Sequence, residues 1–470
     1  MKQRILFAPI HGPSMIEMLP IACRIAKDGR FEPVFFIFSP LSKRNAGILD
    51  ESKIRVIGSK IQSLSHPEQG SGKSDLLIET HEDEKKNDPG FRKRIVRWAL
   101  SLSLVSILWY LVKFKRFLRR SKKILLEEDT AAVVVMGDRH VGWETALIKS
   151  GIDLGIQILI VPFAVSDPDS DIEARLRLPD TKQYRVSTLI ERAAAKIFPR
   201  WVRRKGADRL FFIPVGNAVA AKALNMMPEN PWTIGGGAAK RVAVDSPRTR
   251  LNFSNEGVPT EKMVITGKPG DDQIYHAMAA IEPRETRREL GIGDSQRFIL
   301  CSVPQLAEHG LLSWPEHWKE INYLVKTLSE QVGANVILSL HPQSDKRNYE
   351  ELAEKYGAVI ADRRIYNLIP ACDILVATYS SVVVQAIGSG KPAVVVDFYG
   401  LDFTYYDDEP GVVVVKERES LTPTIERLLY NREYYDEMVQ AQLSRKSEWL
   451  LLDGECTSRV VNELYQMIDS

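Results

Sequence analysis

The chain has 470 residues, more than a single hydrophobic core usually serves, so two domains are expected. Apolar residues make up 44% and charged residues 26%, and 63 basic against 61 acidic side chains leave a formal net charge of +2. That balance excludes a disordered polyelectrolyte, and it excludes a partner selected by overall charge.

Residues 4–10 predict a buried strand, carrying the apolar run from Ile5 to Ile10, and Ile16, Leu19, Ile21, Ala22 and Ile25 recur behind it at helical spacing. Cut off by His11, this run is too short for the apolar centre of a secretion signal. A second apolar strand is predicted at 34–38. Strands apolar throughout and alternating with helices predict a parallel sheet covered on both faces. Residues 63–88 turn to Ser, Gly, Glu and Lys and read as a loop. Alternation resumes with strand 131–136, helix 141–150 and strands 156–161, 241–244 and 263–266. A second series follows, with strands 298–303, 335–340, 374–377, 393–397 and 411–415 and helices 318–331, 349–356, 380–389 and 421–430. The run Gly267-Lys-Pro-Gly-Asp-Asp after a strand end places a hinge within 267–284. The expected organisation is an α/β chain of two Rossmann-like domains with a cleft between them. Residues 1–270 form the first, with an insertion at 60–127; residues 285–455 form the second. Residues 456–470 supply a closing helix that suits either domain. Four cysteines, Cys23, Cys301, Cys372 and Cys456, stand too far apart for a metal knuckle, and so few suit a reducing, cytoplasmic compartment.

The insertion has its own character. Between Phe91 and Lys123 lie eleven basic residues and no acidic one, flanking the charge-free run 98–112. About 20 residues cross a bilayer as a helix, so this run is short for a span. Trp98, Trp109 and Tyr110 with cationic flanks suit a helix lying on an anionic membrane surface, so residues 91–123 predict peripheral attachment at the inner face of the membrane. A buried helix with a solvated cationic end is the alternative. Residues 200–205 add more basic side chains, but no recognition motif makes nucleic acid an expected partner.

The most informative segment is CDILVATYSSVVVQAIGSGKPAVVVDF, starting at Cys372. A strand ends in Thr378-Tyr-Ser-Ser, and the helix that follows opens with two hydroxyls among free backbone N–H groups, the makings of an anion site, unless Ser380 simply caps the helix. Gln385 stands one turn inside, placed to reach a ribose hydroxyl. This segment resembles the nucleotide-binding segment of GT-B glycosyltransferases and their relatives, the UDP-N-acetylglucosamine 2-epimerases and CDP-glycerol glycerophosphotransferases. The resemblance implies that Thr378, Ser380 and Ser381 hold a diphosphate. Many members carry glutamate where Gln385 stands. His341-Pro-Gln is similar to the His-Pro step of the glycerophosphotransferases, which implies that His341 approaches the donor phosphates. The loop from Ser302 to His309 is either a cover for the nucleotide or a plain connection.

In the first half, Val135-Met-Gly-Asp-Arg-His resembles the GDR turn of the 2-epimerases, which places Asp138 and His140 at the sheet edge. Alternatively Asp138 simply caps the next helix. His11, after the first strand, stands where many inverting GT-B enzymes carry a catalytic base, with Asp138 as a possible orienting carboxylate. The strand after the GDR helix lacks the catalytic glutamate of the epimerases, Pro162 or Phe163 standing in its place. Epimerisation therefore ranks below transfer. The expectation is a cytoplasmic, peripheral membrane glycosyltransferase of the inverting kind, taking a nucleotide-sugar of UDP type and a lipid-linked or polysaccharide acceptor. No cofactor is expected, and no DxD-type metal site is assigned. The alternatives are an epimerase or hydrolase and a non-catalytic GT-B-like scaffold.

Overall fold

The computed structural model describes residues 2–58, 103–162, 168–176, 178, 180–308, 310–341, 344–401 and 404–470. The loop expected at 63–88, most of the insertion and Phe163 fall outside them. The chain divides into two compact units. One holds the described residues up to Asp272 together with Glu455–Ser470, and the other runs over Gln273–Gly454.

The first unit is built on a parallel sheet of seven strands: β1 (Arg4–Ala8), β2 (Glu32–Ile37), β3 (Arg55–Gly58), β4 (Thr130–Val135), β5 (Gln157–Ile160), β8 (Arg241–Val244) and β9 (Met263–Ile265). Their order is β3-β2-β1-β4-β5-β8-β9. The hairpin β6 (Val202–Lys205) and β7 (Asp208–Phe211) stands apart as a separate antiparallel pair. The central strands are runs such as Ala-Ala-Val-Val-Val because both faces are covered, so no position needs a polar side chain. One face packs on the helix Gly12–Asp28 and on the last helix, Cys456–Asp469, through Val460, Val461, Leu464 and Met467. The closing helix therefore belongs to the first sheet.

The second unit has six parallel strands: β10 (Phe298–Ser302), β11 (Asn335–Ser339), β12 (Val359–Ile360), β13 (Ile374–Ala377), β14 (Ala393–Val396) and β15 (Val412–Val415), in the order β12-β11-β10-β13-β14-β15. Both sheets reverse strand order at their centre, beside β1 and β10, the place where open α/β sheets carry ligands beyond the strand ends.

Several boundaries differ from expectation. The helix predicted at 141–150 is Trp143–Asp153, capped by Gly142. The helix predicted from 318 begins at Trp314, because Ser313 and Glu316 form a capping box. The helices Pro168–Leu176, Leu189–Ile197 and Val215–Ala223 and the β6–β7 hairpin were not foreseen. They share a subsidiary core around Phe211, Phe212, Trp201 and Trp232, and short elements of that kind carry little periodicity to read. The helix Ser103–Glu127 joins this core through Phe114, so its alternative reading as a packed helix holds for one face. Its other face leaves Leu108 65%, Trp109 46% and Val112 53% exposed. Among the described residues, no helix is long and apolar enough to cross a membrane.

Candidate functional site

In the second unit the expected donor residues gather at the carboxyl edge of the sheet. Thr378, Ser380 and Ser381 follow β13, and His341 follows β11; these strands flank β10. The helix Val382–Gly388 begins after Ser381, which is exposed, has helical dihedrals and makes no side-chain cap bond. The Ser381 hydroxyl therefore does not cap this helix. Ser380 accepts only a long contact, 3.5 Å, from the Val382 N–H, and its carbonyl accepts the buried Tyr406 hydroxyl at 2.9 Å. Beneath this turn Asp397 accepts the Leu401 N–H at 2.9 Å, and the Tyr379 hydroxyl lies 3.4 Å from its other oxygen. Gln385 carries a buried Oε1 without a partner. A buried amide oxygen left bare costs about 1–3 kcal/mol, which a ribose hydroxyl would offset. His341 is exposed, and its carbonyl accepts the Ser344 N–H at 2.9 Å.

In the first unit, His11 and the Gly137-Asp-Arg-His turn follow the adjacent strands β1 and β4, whose Ala8 and Val135 lie in register, so both reach the same sheet edge. His11 is the N-cap of the helix Gly12–Asp28, its Nδ1 accepting the Ser14 N–H at 3.2 Å while Ser14 Oγ accepts the His11 N–H at 3.0 Å. A backbone N–H only donates, so Nδ1 is bare and the neutral ring carries its proton on Nε2. In that tautomer Nε2 is a donor, where a general base needs a bare nitrogen.

The pairing of His11 with Asp138 is not formed. Asp138 is buried, and it accepts the Gly235 N–H at 2.9 Å and the Gly237 N–H at 2.7 Å. Lys262 Nζ donates to the carbonyls of the same two glycines, both at 2.6 Å. The Gly-Gly-Gly turn is thus clamped by one anion and one cation. Burial pushes the Asp138 carboxyl up, against the pull of the Gly235 N–H and Lys262. Nor does Asp138 cap the following helix, because its bonds run to a loop nearly a hundred residues away in sequence. A Cβ on Gly237 would sit 2.6 Å from Asp138 Oδ2, so the third glycine is required for this approach.

His140 does not behave as the switchable imidazole expected from its type. Burial, with Arg139 and Arg175 nearby, lowers its pKa to about 3, so the ring stays neutral at working pH. Arg139 pairs with Asp171. Arg175, wholly buried, donates from Nε to the Phe212 carbonyl at 2.6 Å and lies 3.9 Å from the Phe212 ring centre. Asp169 and Asp171 do have DxD spacing, but both are engaged by arginines, Asp171 by Arg139 and Arg175 and Asp169 by Arg203.

Sequence reasoning missed Asp271. It stands in the first turn of the helix Pro269–Ala279, after β9, with Lys268, Glu17, Asp245 and Asp272 as charged neighbours. Burial first, and then the three other carboxylates against Lys268, push it up to about 7. Its neighbour Asp272 is structural, accepting the Cys456 and Thr457 N–H groups at 2.8 and 2.7 Å and so capping the last helix. The Gly-Lys-Pro-Gly-Asp-Asp run read as a hinge because spacing alone does not show which acid caps and which is left beside other acids.

Two sheets of this kind are the GT-B fold, and known structures agree. UDP-GlcNAc 2-epimerase from Neisseria meningitidis, solved bound to UDP-GlcNAc, matches with a TM-score of 0.52 at 13% identity, covering 99% of this chain and 100% of that one. The calicheamicin glycosyltransferase CalG4 matches with a TM-score of 0.55 at 12% identity, over 100% and 98% of the two chains. A putative UDP-N-acetylglucosamine 2-epimerase from Listeria monocytogenes gives 0.53 at 14%, over 99% and 96%. These likenesses establish the fold. Residues 246–466 match the family model of CDP-glycerol:poly(glycerophosphate) glycerophosphotransferase, a stretch that contains the second sheet, His341 and the Thr378–Ser381 turn. No curated protein matches the sequence.

Proposed function

We propose that the chain is a nucleotide-dependent transferase that moves a sugar from a nucleotide-diphosphate donor to a lipid-linked or polysaccharide acceptor in cell-surface glycan synthesis. The observation that carries the nucleotide-dependent transferase part of this reading is the family match over residues 246–466, which falls on the turn whose Ser381 hydroxyl caps nothing and on the unpartnered Gln385 Oε1. In this reading Ser380, Ser381, Thr378 and His341 take the diphosphate and Gln385 the ribose. Backbone N–H groups and side-chain donors stabilise the departing diphosphate without a metal, and transfer inverts the anomeric centre. The first unit takes the acceptor, with His11 donating from Nε2 and Asp138 holding the Gly235–Gly237 turn, and the acceptor hydroxyl gives its proton to solvent as its oxygen bonds the sugar and the bond to the diphosphate breaks. Attachment to an anionic membrane surface through the exposed Leu108, Trp109 and Val112 and the basic residues beside them brings the chain to a lipid-linked acceptor.

The same match favours a second reading, transfer of a glycerophosphoryl group from CDP-glycerol, because the matched family is described by that donor. Calorimetry with UDP, CDP and GDP in the presence of a chelator separates the two. Micromolar binding of UDP supports sugar transfer and preferred binding of CDP supports the second reading, with Ser381→Ala and His341→Ala each weakening binding about tenfold. Failure of all three nucleotides to bind sinks both.

A further inference from the structure

In the second unit two buried polar atoms, one a donor and one an acceptor, each lack a partner in the same neighbourhood. His317 lies in the helix Trp314–Lys326, fully buried, with the rings of Trp314 and Trp318 at 5.4 and 5.0 Å. The Tyr349 hydroxyl is 3.4 Å from His317 Nε2 and is itself hydrogen-bonded by Ser344. With Ser344 donating to the phenol oxygen, the phenol proton goes to Nε2, so neutral His317 carries its proton on Nδ1. Burial lowers the His317 pKa and keeps the ring neutral. His317 Nδ1 has no partner, and neither has the buried Oε2 of Glu308, in the loop after β10. Glu308 is near enough for its charge to act on both His317 and Tyr349. Each orphan is what the other lacks, and leaving both unmade is costly.

We propose that Glu308 and His317 are a positioning pair for the nucleotide site: when a nucleoside diphosphate binds, the His317 Nδ1–H bonds to the Glu308 carboxylate and ties the loop after β10 to the loop after β11. The second loop is reached through existing contacts, because Ser344, which bonds Tyr349, also donates its N–H to the His341 carbonyl. The pair thus acts on the phosphates through His341 and touches no reacting atom. The inference rests on the nucleotide-binding reading above.

The test is a double-mutant cycle on the full chain, by calorimetry with whichever of UDP, CDP and GDP binds tightest, alongside denaturant unfolding of the nucleotide-free protein. Glu308→Ala and His317→Leu are each expected to weaken binding about tenfold, the double variant no further than either alone. Glu308→Gln, which keeps an acceptor oxygen, recovers most of the affinity. The nucleotide-free unfolding cycle shows no coupling, since the bond is not made there. Additive losses, or single variants that bind like the wild type, overturn the pair and leave the nucleotide reading intact. If the wild type binds none of the three, that reading falls and the pair with it. Should His317→Leu fail to fold, equal affinities for Glu308→Ala and Glu308→Gln overturn the proposal alone.

Discussion

Asp271 shows how far a residue's role depends on what surrounds it. As an aspartate after a strand it reads as one more turn acid, yet burial beside Glu17, Asp245 and Asp272 pushes its pKa up to about 7 from an ordinary value of 3.8. The folded pKa lies above the unfolded one, so the fold binds the proton more tightly, and the group costs stability as pH rises from about 4 to about 7. The full shift would be worth about 4 kcal/mol, and solvent screening of a partly buried group brings this to about 2. Asp271→Asn is therefore expected to raise unfolding stability above pH 7 by about 2 kcal/mol and to leave it unchanged below pH 4. Urea unfolding across that range checks it, and a constant difference between variant and wild type would exclude the mechanism. At the same sheet edge His11 and Asp138 were legible as polar residues after strands. What was not legible is that Ser14 occupies Nδ1 and that two glycine N–H groups occupy both carboxylate oxygens, because these partners come from a cap geometry and a distant loop.

At the scale of elements, the long central strands were read correctly in position because unbroken Val and Ile runs have few other uses. The edge strands β3 and β12 and the elements of the subsidiary core were missed, since short, half-exposed segments carry weak patterns. Of the alternatives weighed for the helix Ser103–Glu127, packing holds on one face, where Phe114 is buried in a core, while Leu108, Trp109 and Val112 face outward among Lys113, Lys115, Arg116, Arg119 and Arg120. Lys113 lies 5.3 Å from the Trp109 ring centre and 5.5 Å from that of Phe117, so its stem covers apolar surface while its charge stays outside. Sedimentation with vesicles should show binding to anionic but not neutral lipid. Replacing Leu108 and Trp109 by serine should lower the partition about tenfold or more, for the loss of two apolar anchors. Equal binding to neutral vesicles, or an unaffected variant, would remove the membrane from the reading.

For the whole molecule, the organising fact is that the chain returns at its end to the first sheet. The helix Cys456–Asp469 fills that sheet's face with Val460, Val461, Leu464 and Met467, and Asp272 caps it while Arg459 donates to the Thr266 carbonyl at 2.7 Å. Leu464→Ala is expected to cost about 3 kcal/mol, and to do so in the first unit only. Native-state hydrogen exchange should show lost protection in β1 and β4 with β10 and β13 unchanged, and a loss spread equally over both sheets would contradict the division into units.

By itself the sequence determined two parallel sheets, because alternating apolar strands and helices admit few other architectures, and it located the strand ends at which chemistry collects, because the Thr378–Ser381 and Gly137–His140 turns are local. Only the tertiary structure decided which sheet receives the last helix, which nitrogen of His11 is bare, what Asp138 holds and that Glu308 Oε2 and His317 Nδ1 are buried without partners. Those outcomes rest on contacts between residues far apart in the chain, whose burial and partners no local pattern records.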